Sequence, residues 1–233
     1  MTDVHGCLAI AKFPKDTDEY SIETWEHIAL VLAAQAGIRV PRHQLQQIGH
    51  QAVLLSWRFD REQERRVPFL SAMSLLQAKD GERASYPEIV DELARHGASA
   101  GKDAAELFRR MVFNVLGSNV DDHLRNHGFL WAGNAGWILS PAYDLNPTPV
   151  DQKARILTTS ISLDEGTCSV DLAMSQAELF GLERTDAEAI VSEVGDAVSK
   201  WRDVATQAGQ TSLQIDRMAS AFEHEDLAQA QKM

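Results

Sequence analysis

Residues 103–147 pack a helix, a polar loop, a hairpin and a stiffened loop into one short stretch. Leu107, Met111 and Val115 fall on one side of a predicted helix over 103–117. The loop Asp121-Asp122-His123-Leu124-Arg125-Asn126 follows it. Residues 129–131 and 137–139 flank Gly133-Asn134-Ala135-Gly136, which reads as a short hairpin. Ser140-Pro141-Ala142-Tyr143-Asp144 then brings in another acid. A carboxylate, an amide and a second carboxylate in that order are what phosphoryl transfer needs from an enzyme. One acid takes or orients the proton of an attacking hydroxyl, while the amide oxygen and the other acid hold magnesium.

Taken alone, Asp121 is an ordinary turn acid. Its weight comes from its position after an apolar helix, where solvation is restricted, and from Asn126 and Asp144 beyond it. His123 and His127 are four apart, so with Asp121 or Asp122 they also allow a metal-dependent hydrolase. The simpler expectation is that His123 is a buried, hydrogen-bonding brace for the loop.

The N-terminal part reads strand, helix, strand, strand. Residues 8–13 alternate until Pro14. Ser21 caps a helix that buries Trp25, Ile28, Ala29, Leu32 and Ala33, and Gly37 ends it. Residues 45–48 and 52–57 form a hairpin about Gly49-His50. Lys12 gains interest because Glu26 on the next helix can pair with it.

After Phe59-Asp60-Arg61 the chain turns helical. Ser85 and Glu88 make a capping box for a helix to about residue 96, and Ser175/Glu178 and Thr185/Glu188 read as two more. Residues 158–163 are extended. Ile190, Val191, Val194, Val198 and Trp201 are spaced for a core. Thr211 starts the last helix, and the tail from Glu223 frays.

The 233 residues suffice for one large domain or two lobes with a real core. With 22 Lys plus Arg against 34 Asp plus Glu, the net charge of −12 argues against direct nucleic-acid binding through the overall field. Arg58, Arg61, Arg65 and Arg66 form the densest basic cluster, and a solvated turn accounts for them. No apolar run approaches the ~20 residues of a membrane helix, and no secretory signal is legible. Two cysteines without CxxC spacing make a reducing cytoplasm the default location.

The strings Ile10-Ala11-Lys12-Phe13-Pro14, Trp25-Glu26, Ala36-Gly37-Ile38-Arg39-Val40-Pro41, Phe59-Asp60-Arg61, Asn119-Val120-Asp121-Asp122-His123-Leu124-Arg125-Asn126 and Pro141-Ala142-Tyr143-Asp144-Leu145-Asn146-Pro147 stand in that order. Together they resemble the C-terminal kinase region of the HipA-like toxins, serine/threonine kinases of bacterial toxin–antitoxin systems. The resemblance implies an α+β, protein-kinase-like two-lobe fold. Residues 1–60 would be a truncated, β-containing N-lobe with the hinge, and residues 61–233 a mostly helical C-lobe. It implies ATP and Mg2+ as cofactors, Asp121 as catalytic base, Asn126 and Asp144 as metal ligands, and Lys12 as the phosphate-contacting lysine. Glu26 matches the acid on the following helix. Trp57 and Phe59 fall where the hinge meets adenine, and His123 joins the cofactor-binding set. The implied partners are a protein substrate, such as a translation factor or an aminoacyl-tRNA synthetase, and an antitoxin or companion N-terminal subunit.

The family's Gly-rich, serine-bearing phosphate loop is not found before Lys12. Residues 1–233 alone are therefore expected to bind ATP weakly and to transfer little phosphate until a companion chain or upstream extension supplies such a loop. The alternative is a kinase-shaped binding module completed by another chain. The sheet that starts near Leu8 is expected to present an edge to that segment.

Overall fold

In the computed structural model, residues 7–62 and 65–233 are described. Strand β1 (Ala9–Lys12) stops just before Pro14, which has no N–H to donate to a ladder. Helix α1 (Ile22–Gln35) buries the five apolar residues whose spacing predicts it. Ser21 stands at its N-cap, but its hydroxyl meets the Thr24 hydroxyl at 2.7 Å and caps no backbone N–H. The competing side chain explains the difference. Gly37, at φ +78°, turns the chain out of the helix. Strands β2 (His43–Ile48) and β3 (Gln51–Trp57) form the expected hairpin, with Ile48 opposite Gln51. The sheet order is β1-β3-β2, so β1 is an edge strand among the described residues, and Lys12 faces Leu54 across the antiparallel pair.

The next stretch is not yet helical. Strands β4 (Arg61–Glu62) and β5 (Arg65–Arg66) make a ribbon, and β6 (Phe69–Ser71) leads into the single turn α2 (Ala72–Leu75). The partner of β6 lies about sixty residues downstream in β7, so no local pattern announces it. Helix α3 (Tyr86–His96) begins on the complete Ser85/Glu88 capping box, and α4 (Ala100–Leu116) follows. A 3-10 turn (Leu124–Asn126) carries the polar loop into β7 (Gly128–Trp131), which pairs with β8 (Trp137–Leu139). A Cβ at Gly128 would lie 2.5 Å from the Phe69 ring, so only glycine lets β6 and β7 close there.

Residues 158–163 are bends with isolated bridges, not the expected strand. The N–H groups of Thr158 and Thr159 donate instead to the Asp122 carboxylate, at 2.9 and 3.2 Å. Helices α5 (Val170–Ser175) and α6 (Arg184–Val198) do not start on the two further capping boxes. Ser175 ends α5 with its hydroxyl on the Leu172 carbonyl, while Glu183 occupies the N-cap of α6. Helix α7 (Trp201–Gln207) precedes α8 (Ser212–Arg217), which does start on Thr211, in a capping box with Gln214. The last helical region is broken into α8, α9 (Ala219–Phe222) and α10 (Glu225–Ala230). The tail does not fray, because Leu227 and Ala230 are buried.

One continuous core runs from Leu54 of β3 through α1 to the C-terminal helices. Helix α1 packs on β3 by one face and on α6 and α7 by another. Trp25 of α1 meets Trp201 of α7 at 6.3 Å, and Trp201 stacks on Phe222 of α9 at 4.8 Å between ring centroids. Glu26 is the next residue after this anchor, so the packing of Trp25 fixes where its carboxylate stands. No helix among the described residues is long and apolar enough to cross a membrane.

Candidate active site

Lys12 ends an edge strand and reaches across to two acids from distant parts of the chain. Its ammonium lies 2.7 Å from Glu26 and 2.6 Å from Asp144 Oδ1. Burial works against the lysine charge, but Glu26 and Asp144 outweigh it and raise its pKa above the ordinary lysine value. Glu26 is almost fully buried, and burial, offset in part by Lys12, holds its carboxyl above the usual carboxylate range. Asp144 adopts φ +59°, a left-handed backbone that aspartate tolerates better than most residues. Its N–H donates to Glu26 at 3.2 Å, and Asn146 Nδ2 donates to its Oδ1 at 3.1 Å. Glu26 thus orients both the lysine and the backbone of the second acid.

The Asp121 loop is held from beneath. Asn146 N–H donates to Asn119 Oδ1 at 3.0 Å, and Asn119 Nδ2 donates to Asn114 Oδ1 at 3.0 Å. Asn114 in turn donates to the Tyr86 hydroxyl at 2.9 Å, which donates to Asp122 Oδ2 at 2.7 Å. This buried chain ties Asp144, through Asn146, to the loop and to helices α3 and α4. Burial raises the Asp122 carboxyl to about 7, against the donors that surround it. His127 is buried beside it, with Nε2 3.2 Å from the Asp122 carbonyl, and burial pushes its imidazole down to about 4.

Asp121 itself faces water. Its side chain is 65% exposed, so the expected restriction of solvation after α4 falls on Asp122 instead. Asp122 takes the inward place, where Tyr86, Thr158 and Thr159 donate to its carboxylate. Asn126 Nδ2 closes the loop on the Asp121 carbonyl at 3.1 Å, which leaves the Asn126 amide oxygen able to ligate a cation. His123 is not the hydrogen-bonding brace expected of it. It is half-buried and its Nδ1 has no partner, while Asp122 and His127 do the bracing. Asp121, Asp122, His123 and His127 do not converge. No group of three or more His, Cys, Asp or Glu among the described residues could hold a metal ion, so the hydrolase reading lacks its centre.

Lys12, Glu26, Trp57, Phe59 and Asp144 share one cleft of about 400 Å3 with Arg125 and Tyr143. Asp121, Asn126 and His123 do not line it. Asn126 adjoins it through Tyr143, since both border the same small crevice. Phe59, Phe69 and Tyr143 form a three-ring cluster with centroids 5.8–6.4 Å apart. Arg42 lies over Trp57, 4.0 Å from its ring centroid. Of Phe69, Arg125, Tyr143, Asn119 and Asn146, all but Phe69 stand in the strings that carry the family resemblance, which gives none of them a role.

A family model for the HipA-like C-terminal domain matches residues 2–201. A candidate kinase of Sinorhizobium fredii is 31% identical over 155 residues, which is 60% of this chain and 37% of that protein. A candidate kinase of Haemophilus influenzae is 26% identical over 134 residues, 51% of this chain and 39% of that protein. The chain thus spans less than two-fifths of the length of these curated relatives. Among solved structures, a chain from the Shewanella oneidensis HipA, HipB and operator DNA complex superimposes with a TM-score of 0.73 at 19% identity. That match covers 96% of this chain and 58% of the other. The Helicobacter pylori proinflammatory kinase CtkA gives 0.72 at 14% identity, covering 97% and 90%. These likenesses show a shared mixed helix-and-sheet fold, and the match over residues 2–201 shows that the chain belongs to the HipA-like C-terminal domain family.

Proposed function

We propose that the chain carries the catalytic centre of an ATP-dependent serine/threonine protein kinase of the toxin–antitoxin type. In this reading residues 1–60 belong to a small lobe and hinge, and residues 61–233 to a helical lobe. The observation that carries it is the Lys12 bridge between Glu26 and Asp144 in a cleft that adjoins the Asp121–Asn126 loop. Lys12 contacts the nucleotide phosphates, and Trp57 and Phe59 border the adenine, with Tyr143 and Phe69 completing the apolar wall. The acceptor hydroxyl gives its proton to Asp121 as its oxygen bonds to the γ-phosphorus. The bond from that phosphorus to the β-phosphate oxygen breaks, and ADP leaves.

The donor set suits magnesium, which takes oxygen ligands and is commonly held by one or two carboxylates plus substrate phosphates. Asp144 and the Asn126 carbonyl oxygen are such donors, and bound magnesium would neutralise phosphate charge there. The toxin–antitoxin role is supported by family membership and by the likeness to the HipA, HipB and operator DNA complex. On that basis the substrate is a bacterial protein hydroxyl, and the partner an antitoxin.

In the assembly that supplies the phosphate-covering loop, Asp121→Asn should lower phosphate transfer by about 10²–10⁴-fold, the usual worth of a positioned base. Transfer at the wild-type rate in that variant would sink the assignment. Magnesium and nucleotide should raise the melting temperature of the wild type and leave that of Asp144→Ala unchanged.

A further inference from the structure

Asp121 has one cation beside it that the kinase reading leaves unused. Lys153 Nζ lies 3.5 Å from Asp121 Oδ1 and 3.3 Å from the Val120 carbonyl. We infer that Lys153 is a catalytic residue that binds the phosphoryl group in flight on the acceptor side of Asp121. This inference rests on the phosphotransfer reading of the same site.

The backbone that carries Lys153 is fastened on several sides. Both Gln152 and Lys153 N–H groups donate to the Pro149 carbonyl, Thr148 N–H donates to Ser118, and Val150 N–H donates to the Ser220 hydroxyl. The nearby acids are already matched. Arg217 takes Glu19 at 2.7 Å and Asp151 at 3.3 Å, leaving Lys153 to Asp121. The other cations near the site are engaged too, with Lys12 on Glu26 and Asp144, and Arg125 on Asp80 at 2.8 Å.

The pairing with Asp121 is long beside the 2.6–2.7 Å contacts of Lys12, and both partners are about half exposed or more. An exposed pair of this kind contributes little to stability. Its geometry suits a different task. A hydroxyl that donates to Asp121 stands about 2.7 Å from the carboxylate, and a phosphorus poised for attack stands about 3–3.5 Å from that hydroxyl. The outer phosphoryl oxygens then come within the sweep of the flexible Lys153 side chain, whose ammonium rests on the Val120 carbonyl. An ammonium is a compact charge with three rotatable donors, suited to oxygens that change position during transfer. In a chain of net charge −12, a local cation on the acceptor side also offsets repulsion of a polyphosphate.

The experiment titrates MgADP, alone and with aluminium fluoride as a mimic of the phosphoryl group in flight. Binding is read by calorimetry on the wild type, Lys153→Met and Lys153→Arg. Fluoride should tighten wild-type binding by at least about 10²-fold, as transition-state analogues do. Lys153→Met should lose most of that gain, Lys153→Arg should keep part of it, and MgADP alone should bind all three within roughly twofold. An unchanged fluoride gain in Lys153→Met, or no gain in the wild type, overturns the inference while leaving nucleotide binding in place. Failure of the wild type to bind MgADP even weakly overturns the phosphotransfer reading and this inference with it.

Discussion

Lys12 and Glu26 place stability and binding in conflict at a single pair. Lys12→Met would leave the Glu26 carboxyl, buried in the core side of α1, without its cation. That variant should lower both the melting temperature and nucleotide affinity. The double variant Lys12→Met/Glu26→Gln should recover the melting temperature but not the affinity, because the proposed function gives the phosphate contact to the lysine alone. Recovery of both in a thermal-shift titration would remove Lys12 from the site. Tyr86 offers a second test, with a pH dependence. Its hydroxyl donates to Asp122 and favours the ionised carboxylate, whose pKa burial has raised to about 7. An acid with a raised folded pKa favours the folded state below its unfolded value, and this advantage fades as pH rises toward 7. Tyr86→Phe removes a donor that matters most to ionised Asp122. It should cost about 1–3 kcal/mol above pH 7, the usual penalty for an unmet buried partner, and less near pH 5. Urea unfolding at pH 5 and pH 8 measures the difference, and an equal loss at both would reject it.

At the scale of the element, α10 is held by a histidine cap. His224 Nδ1 accepts from the Leu227 N–H at 3.3 Å, and its other nitrogen lies 3.1 Å from the Leu116 carbonyl. Burial, and then Arg155, push its pKa down to about 4; Asp226, 3.8 Å away, pulls the other way but is itself paired with Arg155. A base with a depressed folded pKa lends stability that is present above its unfolded value near 6.5 and lost as pH falls toward 4. Protonation would also turn the Nδ1 acceptor into a donor and undo the cap. Hydrogen exchange at Leu227 should therefore accelerate as pH drops below about 6.5, after correction for intrinsic rates. His224→Asn, which keeps a capping oxygen, should flatten that dependence. An acid response identical to wild type in His224→Asn would count against the cap. The tail was expected to fray because its polar residues outnumber its apolar ones. Buried Leu227 and Ala230, the His224 cap, and Asp226, which pairs with Arg155 and accepts from the Val170 N–H, dock it instead.

At the scale of the whole molecule, α1 joins the β1-β3-β2 sheet to the C-terminal helices through a shared core. Circular dichroism and tryptophan fluorescence should therefore report one coincident thermal transition. Trp201→Ala should lower the stability by about 3–5 kcal/mol, the range for a large aromatic removed from a core. Two separated transitions in the wild type would contradict a single cooperative unit. The effect should reach the site as well, since Trp25 packs against Trp201 one residue from Glu26.

What the sequence by itself determined were the features with short-range causes. Apolar period placed α1, α4 and α6, glycine marked the two hairpins, a full capping box started α3, and Thr211 started α8. The pairing of Lys12 with Glu26 was also legible, and the two meet at 2.7 Å. Tertiary structure alone decided which acid faces water and which is buried, because Asp121 and Asp122 differ only in partners. Those of Asp122 are Tyr86, Thr158 and Thr159, each some 36 or 37 residues away. It likewise decided that residues 158–163 would serve a carboxylate instead of a strand, and that Ser175 and Thr185 would not cap. A hydroxyl caps only where the backbone ends a helix, and the surrounding packing sets that end. The Lys12–Asp144 contact spans 132 residues, and such a distance is closed by the burial of α1, not by any pattern local to either residue.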